Sequence, residues 1–162
     1  MKQSVTAIYG AAFNPPHCGH ADAIRQLLDD VARVVVAPAI AHAFHKDLIA
    51  FNDRFRLTSQ LLRDHFPMDA RVEIGDVEAG ILAERGQGPV HSIDVLRRLA
   101  GSRNEACVLA IGEDNAVPEV WQCFHDHNAI EREFGVLVVR ERVPIRSTRI
   151  RERLRGRLFL DR

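Results

Sequence analysis

Three things are scarce or missing in this sequence. It holds only three cysteines, Cys18, Cys107 and Cys123, at no paired spacing. That excludes a small disulfide-stapled scaffold and reads as free thiols in a reducing compartment. It carries no excess of either charge, since 22 basic and 22 acidic residues cancel. Bulk electrostatics therefore do not hold it on nucleic acid or on a membrane, although a zero sum permits a local basic site. It also lacks any apolar run near the roughly 20 residues that span a bilayer. Residues 1–9 contain Lys2 but no long apolar core of a signal peptide. No internal repeat, low-complexity stretch or linker breaks the chain. These absences lead us to expect a cytoplasmic protein with neither a nucleic-acid nor a membrane partner. Its 162 residues suit a single domain over 1–162.

What is present is a series of short apolar runs separated by helical patterns. Residues 5–9 (VTAIY) read as a buried strand feeding a turn at Gly10. A helix over 19–31 places Ala23, Ile24, Leu27, Leu28 and Val31 on one stripe. Further strands are expected at 33–37, 71–74, 107–111 and 136–139. Asn52 is a plausible N-cap for a helix carrying Phe55, Leu57, Leu61 and Leu62. Residues 39–51 and 75–89, the latter with four glycines, read as loops. A helix over 92–99 should stop at Gly101, and Pro118 suits the first turn of a short helix bearing Trp121. A last helix opens near Ser147 or Thr148, with Ile150 and Leu154 on its apolar side. Strands without polar alternation, separated by helices, predict an α/β fold: one doubly wound domain with a five-stranded parallel sheet. Ligands of such sheets lie beyond the carboxyl ends of the strands, so the glycines at Gly10 and Gly112 should open onto that crevice.

The densest chemical signal is residues 10–20, GAAFNPPHCGH. A strand ends, two prolines fix the approach, and His17 and His20 enter a helix. A helix N-terminus offers free N–H groups to anions, and two imidazoles three residues apart share one side of its first turn. Gly19 lets a polyphosphate approach the backbone closely. As a zinc alternative, Cys18 and the two histidines could join His42, His45, Cys123, His125 and His127, but no matched ligand spacing appears.

Phe13, Pro15, His17, Gly19 and His20 resemble the HxGH motif of the nucleotidyltransferase superfamily. The form FNPPHxGH is closest to bacterial nicotinate and nicotinamide mononucleotide adenylyltransferases. The resemblance implies a Rossmann-like fold and transfer of AMP from ATP to a small phosphorylated acceptor, with release of pyrophosphate, in NAD biosynthesis. It implies Mg²⁺ with ATP as substrate and no resident metal. His17 and His20 take the catalytic role, stabilising the α-phosphate. Near the other end, residues 145–151 (IRSTRIR) resemble the family's ISSTxIR, so Ser147, Thr148 and Arg151 carry over as ATP-binding, with Gly10, Ala11, Phe13 and Gly19 beside them. Between these motifs, Lys46 and Arg54 sit where the family has a substrate-facing Lys and a helix-starting Arg. His91 and Ser92 lie in a segment like YTxxTL, residues 112–115 (GEDN) resemble GxDN, and Trp121 resembles the tryptophan that stacks on the pyridine. Lys46, Ser92, Gly112, Asp114 and Trp121 are thus the acceptor-binding candidates.

The sequence departs from the family at Ala11 and Ala12, where a phosphate-binding hydroxyl is usual, and at Arg146, which replaces the first serine of ISST. His91 replaces a tyrosine, Phe124 stands near a second tryptophan, and the stretch 140–145 is short. These departures leave the acceptor open. A phosphopantetheine adenylyltransferase would usually carry threonine in place of His17, and a cytidylyltransferase would usually carry RTEGIST in its tail. A class I aminoacyl-tRNA synthetase would need a KMSKS-like segment, which is absent. A non-catalytic nucleotide-binding relative is the alternative of another kind.

Overall fold

The computed structural model describes residues 3–41 and 48–160. Five strands, β1 (Gln3–Ala11), β2 (Val31–Pro38), β3 (Val72–Ile74), β4 (Ala106–Gly112) and β5 (Val136–Val139), form one sheet in the order β3-β2-β1-β4-β5. Every neighbouring pair is parallel. The helices are α1 (Cys18–Asp30), α2 (Phe51–His65), α3 (Val77–Arg85), α4 (Ser92–Arg103), α5 (Glu113–Ala116), α6 (Pro118–Trp121), α7 (His127–Glu133) and α8 (Ser147–Leu160). None among the described residues is long and apolar enough to cross a membrane.

The central stretches of β1, β2 and β4 are mostly apolar because both faces of the sheet are covered there. Successive strand residues point to opposite faces, and the two cores divide accordingly. Ala7, Tyr9, Val34, Val36, Val108 and Ala110 pack with Ile24 and Leu27 of α1 and Leu62 of α2. Ile8, Val35, Ala37, Leu109 and Ile111 pack with Ile81 of α3, Ile93 and Leu96 of α4 and Ile130 of α7. Each fully buried Val, Leu or Ile among them contributes about 1.5–3 kcal/mol. After β1 the chain moves toward β2, whereas β4 lies on the other side of β1. The carboxyl ends of β1 and β4 therefore flank the reversal of strand order, where a parallel sheet offers a crevice.

Several local expectations are corrected. Residues 75–89 are not all loop, because α3 forms across Gly80; burial of Ile81 (5% exposed) and Glu78 (9%) overrides the glycine signal. Helix α4 runs through Gly101 and stops where Asn104 adopts a left-handed conformation (φ 51°), the alternative to glycine at a helix end. Helix α2 begins one residue before Asn52, with Ala50 as its cap residue and no side-chain cap bond. Strand β1 continues past Gly10 to Ala11, and β2 begins at Val31 directly after α1. Helix α7 gave no clear sequence signal. On α8, Leu154 is 54% exposed rather than on a packed face.

Candidate active site

At the β1–α1 junction, Phe13 takes a left-handed conformation (φ 49°) and Asn14–Pro15 is a cis peptide. Phe13 is 1% exposed, and its ring lies 4.7 Å from that of His20. A bulky residue at positive φ persists only where its surroundings over-determine it; here the buried ring fixes the turn that delivers His17.

The two histidines cap the helix for each other. His17 is the N-cap of α1 and its Nδ1 accepts the Gly19 N–H at 3.1 Å. The His17 N–H in turn donates to His20 Nδ1 at 3.0 Å. Their ring centroids are 3.9 Å apart. Because each Nδ1 accepts a backbone N–H, the proton of each neutral ring sits on Nε2. Burial and the adjacent His17 hold His20 down to about 3. Burial first, and then the Arg146 cation, also lower His17. The pair is thus two neutral N–H donors. The Gly19 N–H that the helix start would offer an anion is already taken by His17, so the Nε2–H groups of the rings are added donors at this turn. Gly19 is required for the same reason: a Cβ there would lie 2.9 Å from the His17 ring.

The tail motif meets this turn directly. Ser147 Oγ donates to the Pro15 carbonyl at 2.8 Å, and Arg151 donates to the Asn14 carbonyl and to Thr148 Oγ1. Helix α1 aligns the preceding segment: Arg142 makes a bidentate pair with Asp22 (2.7 and 2.9 Å), and the Gln26 amide bonds both the N–H and the carbonyl of Arg140. A cleft of about 310 Å³ results, lined by Gly10, Ala11, Ala12, His17, Gly19, His20, Gly112, Asp114, Arg146, Ser147 and Thr148 among others. A larger hollow of about 970 Å³ lies at the amino ends of the strands, around Val5, Glu105 and Phe134. It holds none of the motif residues.

The structure thus brings Gly10, Ala11, Gly19, Ser147 and Thr148 to one cleft with the histidines, and Gly112 and Asp114 from the end of β4. Phe13 and Arg151 brace it from behind. Asp114 folds back over Gly112, where a Cβ would lie 2.6 Å from Oδ1, and accepts the Asn115 N–H at 3.1 Å. Ser92 and Trp121 do not line this cleft. Trp121 packs against Phe124 (4.9 Å) and its indole N–H bonds Glu131 at 2.5 Å. His91 stacks on His125, centroids 4.1 Å apart. Lys46 lies outside the described residues, as do His42 and His45 of the zinc alternative. Among the described residues no three His, Cys, Asp or Glu side chains are placed to share a metal ion.

Arg54 lies in the first turn of α2, as the helix-starting Arg of the resemblance implies. It is 1% exposed and donates to the carbonyls of Ile49 and Ala12 at 2.7 Å each, and of Ile40 at 3.4 Å. It ties the β1–α1 turn to both ends of the connection between β2 and α2 from inside. Sequence reasoning missed the carboxylate of Glu141 and the part played by Arg146, whose guanidinium bridges Asp114 (3.0 Å) and Glu141 (2.5 Å) in the cleft. No local period signals a pair formed between such distant residues.

The chain is similar to a protein of Sulfurimonas denitrificans named probable nicotinate-nucleotide adenylyltransferase, 29% identical over 164 residues, covering 91% of this chain and 84% of that one. An Anaeromyxobacter dehalogenans protein of the same name is 38% identical over 80 residues, 46% of this chain and 43% of that one. A structure from Vibrio parahaemolyticus assigned as a nicotinate-nucleotide adenylyltransferase matches with a TM-score of 0.78 at 25% identity, covering 95% of this chain and 88% of that one. The fold is also that of a Plasmodium falciparum nicotinic acid mononucleotide adenylyltransferase complexed with NaAD, with a TM-score of 0.70 at 14% identity over 93% of this chain and 83% of that one. The family model described as cytidylyltransferase-like matches residues 8–153, nearly the whole sheet and both end motifs, and the chain belongs to that family.

Proposed function

We propose that this protein is an adenylyltransferase that moves AMP from ATP onto nicotinate mononucleotide or its amide, releasing pyrophosphate, as one catalytic unit. The observation that carries the reaction type is the shared cleft of His17, His20, Ser147 and Thr148; the acceptor rests on the relatives' names.

An acceptor phosphate oxygen attacks the α-phosphorus of ATP in line. A new P–O bond forms as the bond to the β-phosphate oxygen breaks, and pyrophosphate leaves with that electron pair. No covalent intermediate on the protein is needed, so catalysis consists of alignment and charge stabilisation. His17 and His20 donate from Nε2 to the α-phosphate oxygens, where negative charge grows. Held neutral by burial, they do so without losing a proton. Ser147 and Thr148, at the start of α8, receive the β- and γ-phosphates, while Arg151 keeps that helix start against the Asn14 turn. ATP enters as its Mg²⁺ complex. The cleft carboxylates Glu113, Asp114 and Glu141 are hard oxygen acceptors, suited to the waters such an ion retains.

The test is pyrophosphate release from ATP and Mg²⁺ with nicotinate mononucleotide, nicotinamide mononucleotide or phosphopantetheine, and with CTP replacing ATP. Release with a pyridine mononucleotide and ATP is expected. Nucleotide binding without release from any acceptor would assign a non-catalytic binding protein, and release with CTP alone would reassign the donor.

A further inference from the structure

Arg146 occupies a position where a hydroxyl residue is expected, and the reaction described above gives it no task. Its guanidinium reaches Asp114 Oδ2 at 3.0 Å and Glu141 Oε2 at 2.5 Å. All three side chains face the cleft that His17 and Thr148 line. Both pairs are half-exposed, with 50% of the Arg146 side chain accessible beside 53% for Asp114 and 33% for Glu141. Ion pairs in such surroundings are individually weak. A guanidinium meeting phosphate forms shorter, paired, charge-assisted bonds. Within this cluster two carboxylates compete for one cation, while Arg140 and Arg142 also line the cleft, so the Arg146 charge is the part of the cluster that a polyanion would attract.

The members of this network differ in freedom. Asp114 is pinned, with Oδ1 accepting the Asn115 N–H and its carboxyl folded over Gly112. The long arginine side chain is the part that can move. We propose that Arg146 is a transferable clamp, which holds Asp114 and Glu141 while the cleft is empty and passes to the triphosphate when the nucleotide enters. Its departure frees Asp114 Oδ2 to accept a hydroxyl of a bound nucleotide, so triphosphate binding prepares the second half of the cleft. Positive coupling between the two substrates follows, because each stabilises the same rearranged state. This inference rests on the cleft being a nucleoside triphosphate site.

Calorimetric titration of the full chain with a non-hydrolysable ATP analogue and Mg²⁺ tests it, using wild type, Arg146→Ser, Glu141→Gln and the double variant. Loss of the clamp should weaken binding about tenfold, the scale of one charged hydrogen-bonding partner, and flatten its salt dependence. Glu141→Gln should tighten binding about threefold, because the clamp has one fewer carboxylate to leave; in the double variant that gain should vanish. Arg146→Lys, which keeps the charge but not the fork, should fall between wild type and Arg146→Ser. If Arg146→Ser binds like wild type, or the Glu141→Gln gain persists without Arg146, the clamp is wrong while the site stands. A wild-type chain that binds no triphosphate overturns the site and the clamp together.

Discussion

Around the β1–α1 junction His17, His20 and Ser147, which face the cleft, and Arg151 behind it are held by backbone. His17 and His20 are fixed by the N–H groups of Gly19 and His17, Ser147 by the Pro15 carbonyl and Arg151 by the Asn14 carbonyl. Around the starts of α4 and α7, side chains hold one another: His91 against His125, and Trp121 against Phe124 and Glu131. Backbone-anchored geometry needs only a short run of the right residues, and it tolerates drift elsewhere. Side-chain-anchored geometry changes whenever either partner changes.

The largest expected effect is on the first region. In His20→Gln the amide oxygen can still accept the His17 N–H, as glutamine does in a capping box. Thermal stability should therefore hold while pyrophosphate release falls about 10²–10³-fold; turnover within tenfold of wild type would remove the imidazole from the chemistry. Arg54→Met tests the stitch between the β1–α1 turn and the connection from β2 to α2. It leaves the carbonyls of Ala12, Ile40 and Ile49 without their donor. Urea unfolding should show a loss of about 3 kcal/mol, and a loss below about 1 kcal/mol would mean water replaces the guanidinium.

Gly19→Ala should push the His17 ring from its place and cost about 10²-fold in kcat, the scale of a small misplacement at a reacting centre. An effect seen only in KM would contradict that. A pH series addresses the same pair more gently. His20 is held at about 3 when folded, against 6.5 ordinarily, so the unfolded chain binds a proton below 6.5 that the folded chain refuses. Stability from this group is present above pH 6.5 and is lost as pH falls toward 3, by up to about 1.4 kcal/mol per pH unit. His20→Gln should show a shallower acid slope than wild type, and parallel slopes would refute the burial argument. Trp121→Phe should have the smallest effect, about 1 kcal/mol of stability with the Glu131 bond lost, and an unchanged KM for ATP. A rise in that KM matching the one in Ser147→Ala would erase the distinction between the regions.

The sheet was legible because residues 5–9, 33–37 and 107–111 are apolar without alternation, the mark of strands covered on both faces. The HxGH run was legible because its function depends on a turn encoded within eleven residues. Helix α3 was hidden by Gly80 and the glycines flanking it; the cost of Gly80 is offset by burial of Ile81, a contact no local pattern records. Arg54 was legible as a helix-starting arginine, but not that its guanidinium is buried where three loop carbonyls converge.

Sequence alone determined the parallel α/β architecture and the two end motifs, since periodicity and turn chemistry act over short stretches of chain. Tertiary structure alone decided that the two motifs meet, that both imidazoles spend Nδ1 on backbone, and that Arg146 lies between Asp114 and Glu141. Those outcomes depend on which distant segments the order β3-β2-β1-β4-β5 brings to the same end of the sheet. Hydrogen bonds and ion pairs between such segments leave no periodic trace in the chain.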